Sequence, residues 1–189
     1  MIDGTAKAID NELLARILDV APKAELDCPR FKGATFDMAT FRDYANFNSV
    51  IFGHGASFHG ATFGNEARFD GATFGNMANF AGASFEDMAF FAGATYGDYA
   101  DFSSVIFGHG ASFCGATFGE EVRFYEATFG DRATFSEATF GDKASFDRAV
   151  FANSLSFGPL VVRGLFLRHV CPATVIRLEL DCHSSSTLL

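Results

Sequence analysis

The sequence predicts an all-β solenoid built on an 11-residue repeat and closed at its N-terminal end by a helix. Three observations carry this. An aromatic residue returns at alternating steps of five and six, alanine stands two places before nearly every one, and turn-forming residues fill the gaps. Composition agrees: 25 Phe and 19 Gly, with no Trp and only 4 Pro in 189 residues, is the bias of a repeated unit. A hydrophobic content of 49% is enough for one domain to bury its own core.

Residues 1–30 read as a helical cap. Within TAKAIDNELLARILDVA, residues 5 to 21, Ile9, Leu13, Leu14, Ile17 and Leu18 fall at helical spacing ahead of Pro22, and Thr5 is positioned as an N-cap. An amphipathic helix here covers the first coil, which would otherwise expose Phe rings and unpaired strand edges. A partner-binding helix is the alternative.

Residues 31–158 are the repeat. Aromatic residues stand at 36, 41, 47, 52, 58, then Phe63, Phe69, Phe74, Phe80, Phe85, Phe91, Tyr96, Phe102, Phe107, Phe113, Phe118, Phe124, Phe129, Phe135 and Phe140, and on to 146, 151 and 157. Two places earlier stands Ala, replaced only by Val50, Val105, Val122 and Leu155. In an extended segment an Ala-x-Phe triplet puts both apolar groups on one side. A step of five would throw the next Phe to the other side of a continuing strand, so each step must contain a corner. The corner residues suit this: six-residue steps read like Phe74-Gly75-Asn76-Met77-Ala78 and five-residue steps like Phe69-Asp70-Gly71-Ala72, offering Gly, Asn and Asp where positive φ is expected. A hendecad helix also has an 11-residue period. It would hold Gly repeatedly in its interior, at about 1 kcal/mol each relative to Ala, and is rejected.

These units resemble the pentapeptide-repeat family, in which an inward Leu or Phe follows a small residue, usually Ala, by two places. The resemblance implies a right-handed quadrilateral β-solenoid with four units per coil. One extra residue at alternate corners then makes a coil of about 22 residues rather than 20, with four Phe columns filling the axis and a rod of about 27 Å at about 4.8 Å per coil. A flattened 11-residue coil is the alternative geometry.

After Phe157 the repeat stops. GPLVVRGLFLRHV and ATVIRLELD, in residues 159–189, alternate like strands and are expected to form a β cap, or to run on into further sequence, before a frayed SSSTLL tail. A homodimer through an end cap is a further expectation. YANFNSVIFGHGASFHGATFG (44–64) recurs as YADFSSVIFGHGASFCGATFG (99–119), an offset of 55 residues and therefore two and a half coils. Equivalent residues should lie on opposite sides of the rod. That separates His54 from His109 and His59 from Cys114, so these read as corner residues rather than metal ligands.

Net charge is -9, which disfavours direct nucleic-acid binding and suits a soluble molecule or a basic partner. No 18-residue apolar run and no signal-like N-terminus are present, so the expectation is a cytoplasmic protein without membrane association. Cys28, Cys114, Cys171 and Cys182 lack metal-ligand spacing and read as free thiols. No phosphate-binding Gly loop, nucleophile elbow or zinc motif occurs; neither catalytic, metal nor cofactor-binding residues are assigned and no enzyme activity is expected.

The outward residue before each Phe forms surface columns. Thr73, Thr95, Thr117 and Thr139 make the most regular one, a pattern that ice-binding solenoids use in paired ranks, though here each strand offers a single Thr. In the other columns Phe90 stands out, and with Met88 and Tyr99 it forms a candidate contact patch. The function expected is a noncatalytic scaffold or protein-interaction module. Acids outnumber bases by 15 to 7 between 31 and 158, and the family resemblance supplies the alternative, an acidic DNA mimic that binds a type II topoisomerase.

Overall fold

The structure, a computed structural model, describes residues 8–23 and 28–152, together with the backbone of two short strands at 161–162 and 171–172. Near the N-terminus a helix, α1, runs from Asn11 to Val20. Its cap is Asp10, whose carboxylate accepts the Leu13 N–H at 2.9 Å, while Glu12 favours the positive end of the helix dipole. Thr5, the cap expected from sequence, lies outside the described residues, and the helix is shorter than the apolar spacing suggested. The reason is local: Ile9 is in extended backbone. It donates to Thr40 O at 2.6 Å and accepts from Arg42 N at 3.2 Å, so the segment first adds a β-bridge to the edge of the first coil. Pro22 then holds Ala21 extended at the other end. Leu14 is buried in the core, with Ile9 and Leu18 packed against it.

Each coil contributes a two-residue strand to each of two parallel sheets. One contains β2 (Thr40–Phe41), β4 (Thr62–Phe63), β6 (Ser84–Phe85), β8 (Ile106–Phe107), β10 (Thr128–Phe129), β12 (Val150–Phe151) and β14 (Cys171–Pro172). The other contains β1 (Arg30–Phe31), β3 (Ile51–Phe52), β5 (Thr73–Phe74), β7 (Thr95–Tyr96), β9 (Thr117–Phe118), β11 (Thr139–Phe140) and β13 (Val161–Val162). Thr62 pairs with Ser84 and Thr73 with Thr95. A coil is therefore 22 residues, and the 11-residue alternative falls because residues 11 apart lie in different sheets. Two further faces are joined by single bridges, one through Asn46, Arg68, Phe90, Ser112 and Thr134, the other through Thr35, Ser57, Asn79, Asp101, Arg123 and Ser145. In chain order from Thr40 the four faces are the first (β2 side), second (Asn46 side), third (β3 side) and fourth (Ser57 side). Of the C-terminal segment expected to form a cap, β13 and β14 extend the two sheets; the rest, with the SSSTLL tail, lies outside the described residues.

The aromatic residues from Phe41 to Phe151 are buried. In each column the rings stack at 4.4 to 5.2 Å between centroids with planes within 15°. Neighbouring columns meet edge to face, as between Phe107 and Phe113 at 5.2 Å and 89°. Both arrangements suit the ring quadrupole. The ladder also begins earlier than the alanine spacing suggests: Phe31, preceded by Pro29 rather than Ala two places back, stacks over Phe52 at 5.7 Å. Tyr96 takes one place in the third-face column, and its hydroxyl is buried with no hydrogen-bond partner. Burial pushes its pKa well above the usual phenol value. Tyr96→Phe is expected to raise stability by about 1 kcal/mol, since an unsatisfied buried donor costs about that much or more; an unchanged or lower melting temperature would show that the hydroxyl is satisfied.

At the corners the structure corrects the expected placement of positive φ. In six-residue steps it falls on the third residue after the aromatic, occupied by Glu66, Met77, Tyr99 and Lys143 as well as by Gly55 and Gly110. The glycine directly after the aromatic serves close packing instead: a Cβ on Gly75 would sit 2.7 Å from His54 N in the coil before. Between them the Asn, Asp or His side chain accepts the backbone N–H one coil further on. Asp87 N donates to Asn65 Oδ1, His109 N to Asp87 Oδ1 and Glu120 N to Asp98 Oδ1. Since a left-handed backbone at a non-glycine residue costs about 1 kcal/mol or more, Met77→Gly should stabilise the rod by up to about 1 kcal/mol in denaturant melts, and destabilisation would mean that the Met77 side chain packs usefully.

Candidate functional surface

With Ala and Phe committed to the axis, recognition is left to the outward residue of each strand and to the corners. Phe63, Phe69, Phe74, Phe80, Phe85, Phe91, Tyr96, Phe102, Phe107, Phe113, Phe118, Phe124, Phe129, Phe135 and Phe140 are all buried. The three residues read as a contact patch are not together. Met88 lies at the corner between first and second faces, beside Phe90 on the second, but Tyr99 is 11 residues from Met88 and so half a coil away, at the diagonally opposite corner. Phe90 is also only partly exposed, with the Arg68 guanidinium 5.4 Å above its ring. Arg68 in turn pairs with Glu66 at 3.1 Å.

His54 and His109 occupy diagonally opposite corners. His54 Nδ1 accepts the Asn76 N–H at 3.1 Å, the work that Asn and Asp do in other coils. Among the described residues no group of three or more His, Cys, Asp or Glu is placed to hold a metal ion. Cys114 sits at a corner 3.8 Å from the Thr134 hydroxyl, on the opposite side from His59. Thr73, Thr95, Thr117 and Thr139 are aligned in register along the third face as one rank. The first face carries Thr62, Ser84, Ile106, Thr128 and Val150 in the same position. Thr117→Ser should therefore change the melting temperature little.

The charged side chains cluster where the faces turn. A shallow open depression on the fourth face is lined by Asp101, Ser103, Glu121, Arg123, Tyr125, Lys143 and Ser145. Lys143 Nζ pairs with Glu121 at 2.8 Å and Arg148 with Glu126 at 3.0 Å, both one coil apart. The Glu121 partner raises the Lys143 pKa, and hydrogen bonds from Tyr125 and then Arg148 lower that of Glu126. Arg148 also lies 5.6 Å over the Tyr125 ring. The sequence reading missed this depression. A search for opposite charges at a spacing of 22 would have found both ion pairs, because that is the distance between vertical neighbours.

Among the described residues no helix is long and apolar enough to cross a membrane. Residues 58–106 match a family model described as pentapeptide repeats, in 9 copies. No curated protein matches the chain. The matched stretch covers little more than two coils, and the same parallel register runs on both sides of it, from Arg30 to Phe151. The chain is a pentapeptide-repeat β-solenoid with two extra residues per coil.

Proposed function

We propose that the chain is a noncatalytic scaffold or protein-interaction module of the cytoplasm. The observation that supports this is the division of labour along the coil. Every buried position of the repeat is taken by Ala, Val, Phe or Tyr in unbroken stacks, while the outward positions are short polar residues on a rigid frame, with shallow open depressions rather than an enclosed apolar pocket. Chemical cross-linking of the purified chain in native extract, followed by affinity capture, is expected to yield a saturable protein partner. A chain that elutes alone at every concentration tested would remove the module reading.

One observation favours the second reading, a DNA mimic acting on a type II topoisomerase. Nine of the 15 acids between 31 and 158 fall on two diagonally opposite corner ridges: Asp43, Glu66, Glu86, Asp87 and Asp131 on one, Asp98, Glu120, Glu121 and Asp142 on the other. Two negative ridges separated by neutral faces resemble the charge layout of a duplex. Gyrase supercoiling assayed with the chain at micromolar excess decides the matter, since unimpaired supercoiling would eliminate the mimic.

A further inference from the structure

The internal duplication offers a comparison of one site in two states. Carried forward from the repeated stretch at the same offset of 55 residues, Glu66, Arg68, Asp70, Met88 and Phe90 correspond to Glu121, Arg123, Tyr125, Lys143 and Ser145. In the first copy Arg68 is closed: Glu66 holds its guanidinium at 3.1 Å and the Phe90 ring lies beneath it. In the second copy both partners are gone. Lys143, standing where Met88 stands, draws Glu121 to itself at 2.8 Å, and Ser145 replaces the ring. Asp101, the next residue along the Arg123 column, is occupied by the Ser103 N–H at 2.8 Å. Glu126 is held by Arg148 and by the Tyr125 hydroxyl. Arg123 is left exposed in the depression, its guanidinium the one charged group there without a hydrogen bond or ion pair, although carboxylates surround it.

We propose that this depression is the docking surface of the module and that it receives a segment of a partner protein presenting a carboxylate to Arg123. The inference rests on the protein-interaction reading above and names its face. A guanidinium offers a planar fork that matches a carboxylate through two hydrogen bonds. The surrounding side chains are already ordered by their own pairs, so less conformational freedom is lost on binding. Arg and Tyr side by side are the residue types that anchor protein interfaces. The acidic corners elsewhere draw in a partner of net positive charge, and the single carboxylate at Arg123 fixes its register.

The test is a titration of the full chain with N-acetylglutamate amide, which carries one side-chain carboxylate, followed by NMR of the arginine Nε–H signals. Arg68 serves as the internal control. Arg123 is expected to reach half-saturation at a concentration at least tenfold lower than Arg68. The double change Lys143→Met and Ser145→Phe, which rebuilds the closed environment of the first copy while keeping Arg123, should abolish the difference, and Met88→Lys with Phe90→Ser should open Arg68 in turn. Equal, non-saturating shifts at both arginines would overturn the docking face and leave the module reading, tested by cross-linking, untouched. Persistence of the Arg123 response in the re-closed variant would overturn it too.

Discussion

Phe102→Ala is expected to cost about 3 to 5 kcal/mol, the largest effect of any single change proposed for this rod. Phe102 is fully buried, stacked between Phe80 at 5.1 Å and Phe124 at 4.8 Å, and meets Tyr96 edge to face at 5.2 Å. Those neighbours are themselves fixed by the coils above and below, so they cannot close over the space left by the ring. The lost transfer free energy and the cavity therefore both count. Because stability in a stacked array is carried by contacts between adjacent coils, the midpoint of chemical unfolding should drop sharply. Phe102→Leu, which keeps most of the volume, should lose less. A Phe102→Ala chain that melts near the parent would mean that its ring does not occupy the axis.

Gly119→Ala should be the next most damaging, by about 1 to 3 kcal/mol as overpacking typically costs, although glycine to alanine is a small change. Gly119 does not have positive φ. Its Cβ would stand 2.7 Å from Asp98 N and Gly97 C of the preceding coil, and 2.5 Å from the Asp98 oxygen that accepts the Glu120 N–H. Backbone cannot swing aside as a flexible side chain does, so the coils must separate locally and loosen the ladder. Glu86 occupies the same slot at the opposite corner, and there the regular hydrogen-bonded turn of the other coils gives way to a simple bend. Gly115→Ala tests the other role of glycine: φ is +65° with nothing within 4 Å of the added carbon, so the cost is about 1 kcal/mol from the left-handed backbone alone. Equal melting temperatures for the two variants would contradict the close approach at Gly119.

Most of the core was legible because a solenoid repeats its local rules. Ala-x-Phe sets the inward side, the alternation of five and six sets the corners, and vertical neighbours differ by a constant 22. Where a residue had to be placed in space by local pattern alone, the reading slipped. Tyr99 looked close to Phe90 in sequence, yet half a coil carries it across the rod. Corner glycines looked like providers of positive φ, but the backbone takes that conformation at Met77, Tyr99 and Lys143, where the sequence gives no hint of it. The helix start was missed because Ile9, apolar and in helical phase, pairs with β2 through its backbone instead.

By itself, then, the amino-acid order determined that this chain winds in coils around an aromatic axis, since inward packing and the turns between strands depend on residues only a few places apart. Which outward groups face one another was decided by the tertiary structure. Stacking brings together residues 22 apart, and a carboxylate that could have closed Arg123 is instead held by Lys143 from the next coil. Competition of that kind between coils has no local signature, and it leaves the open cation that distinguishes one copy of the duplicated surface from the other.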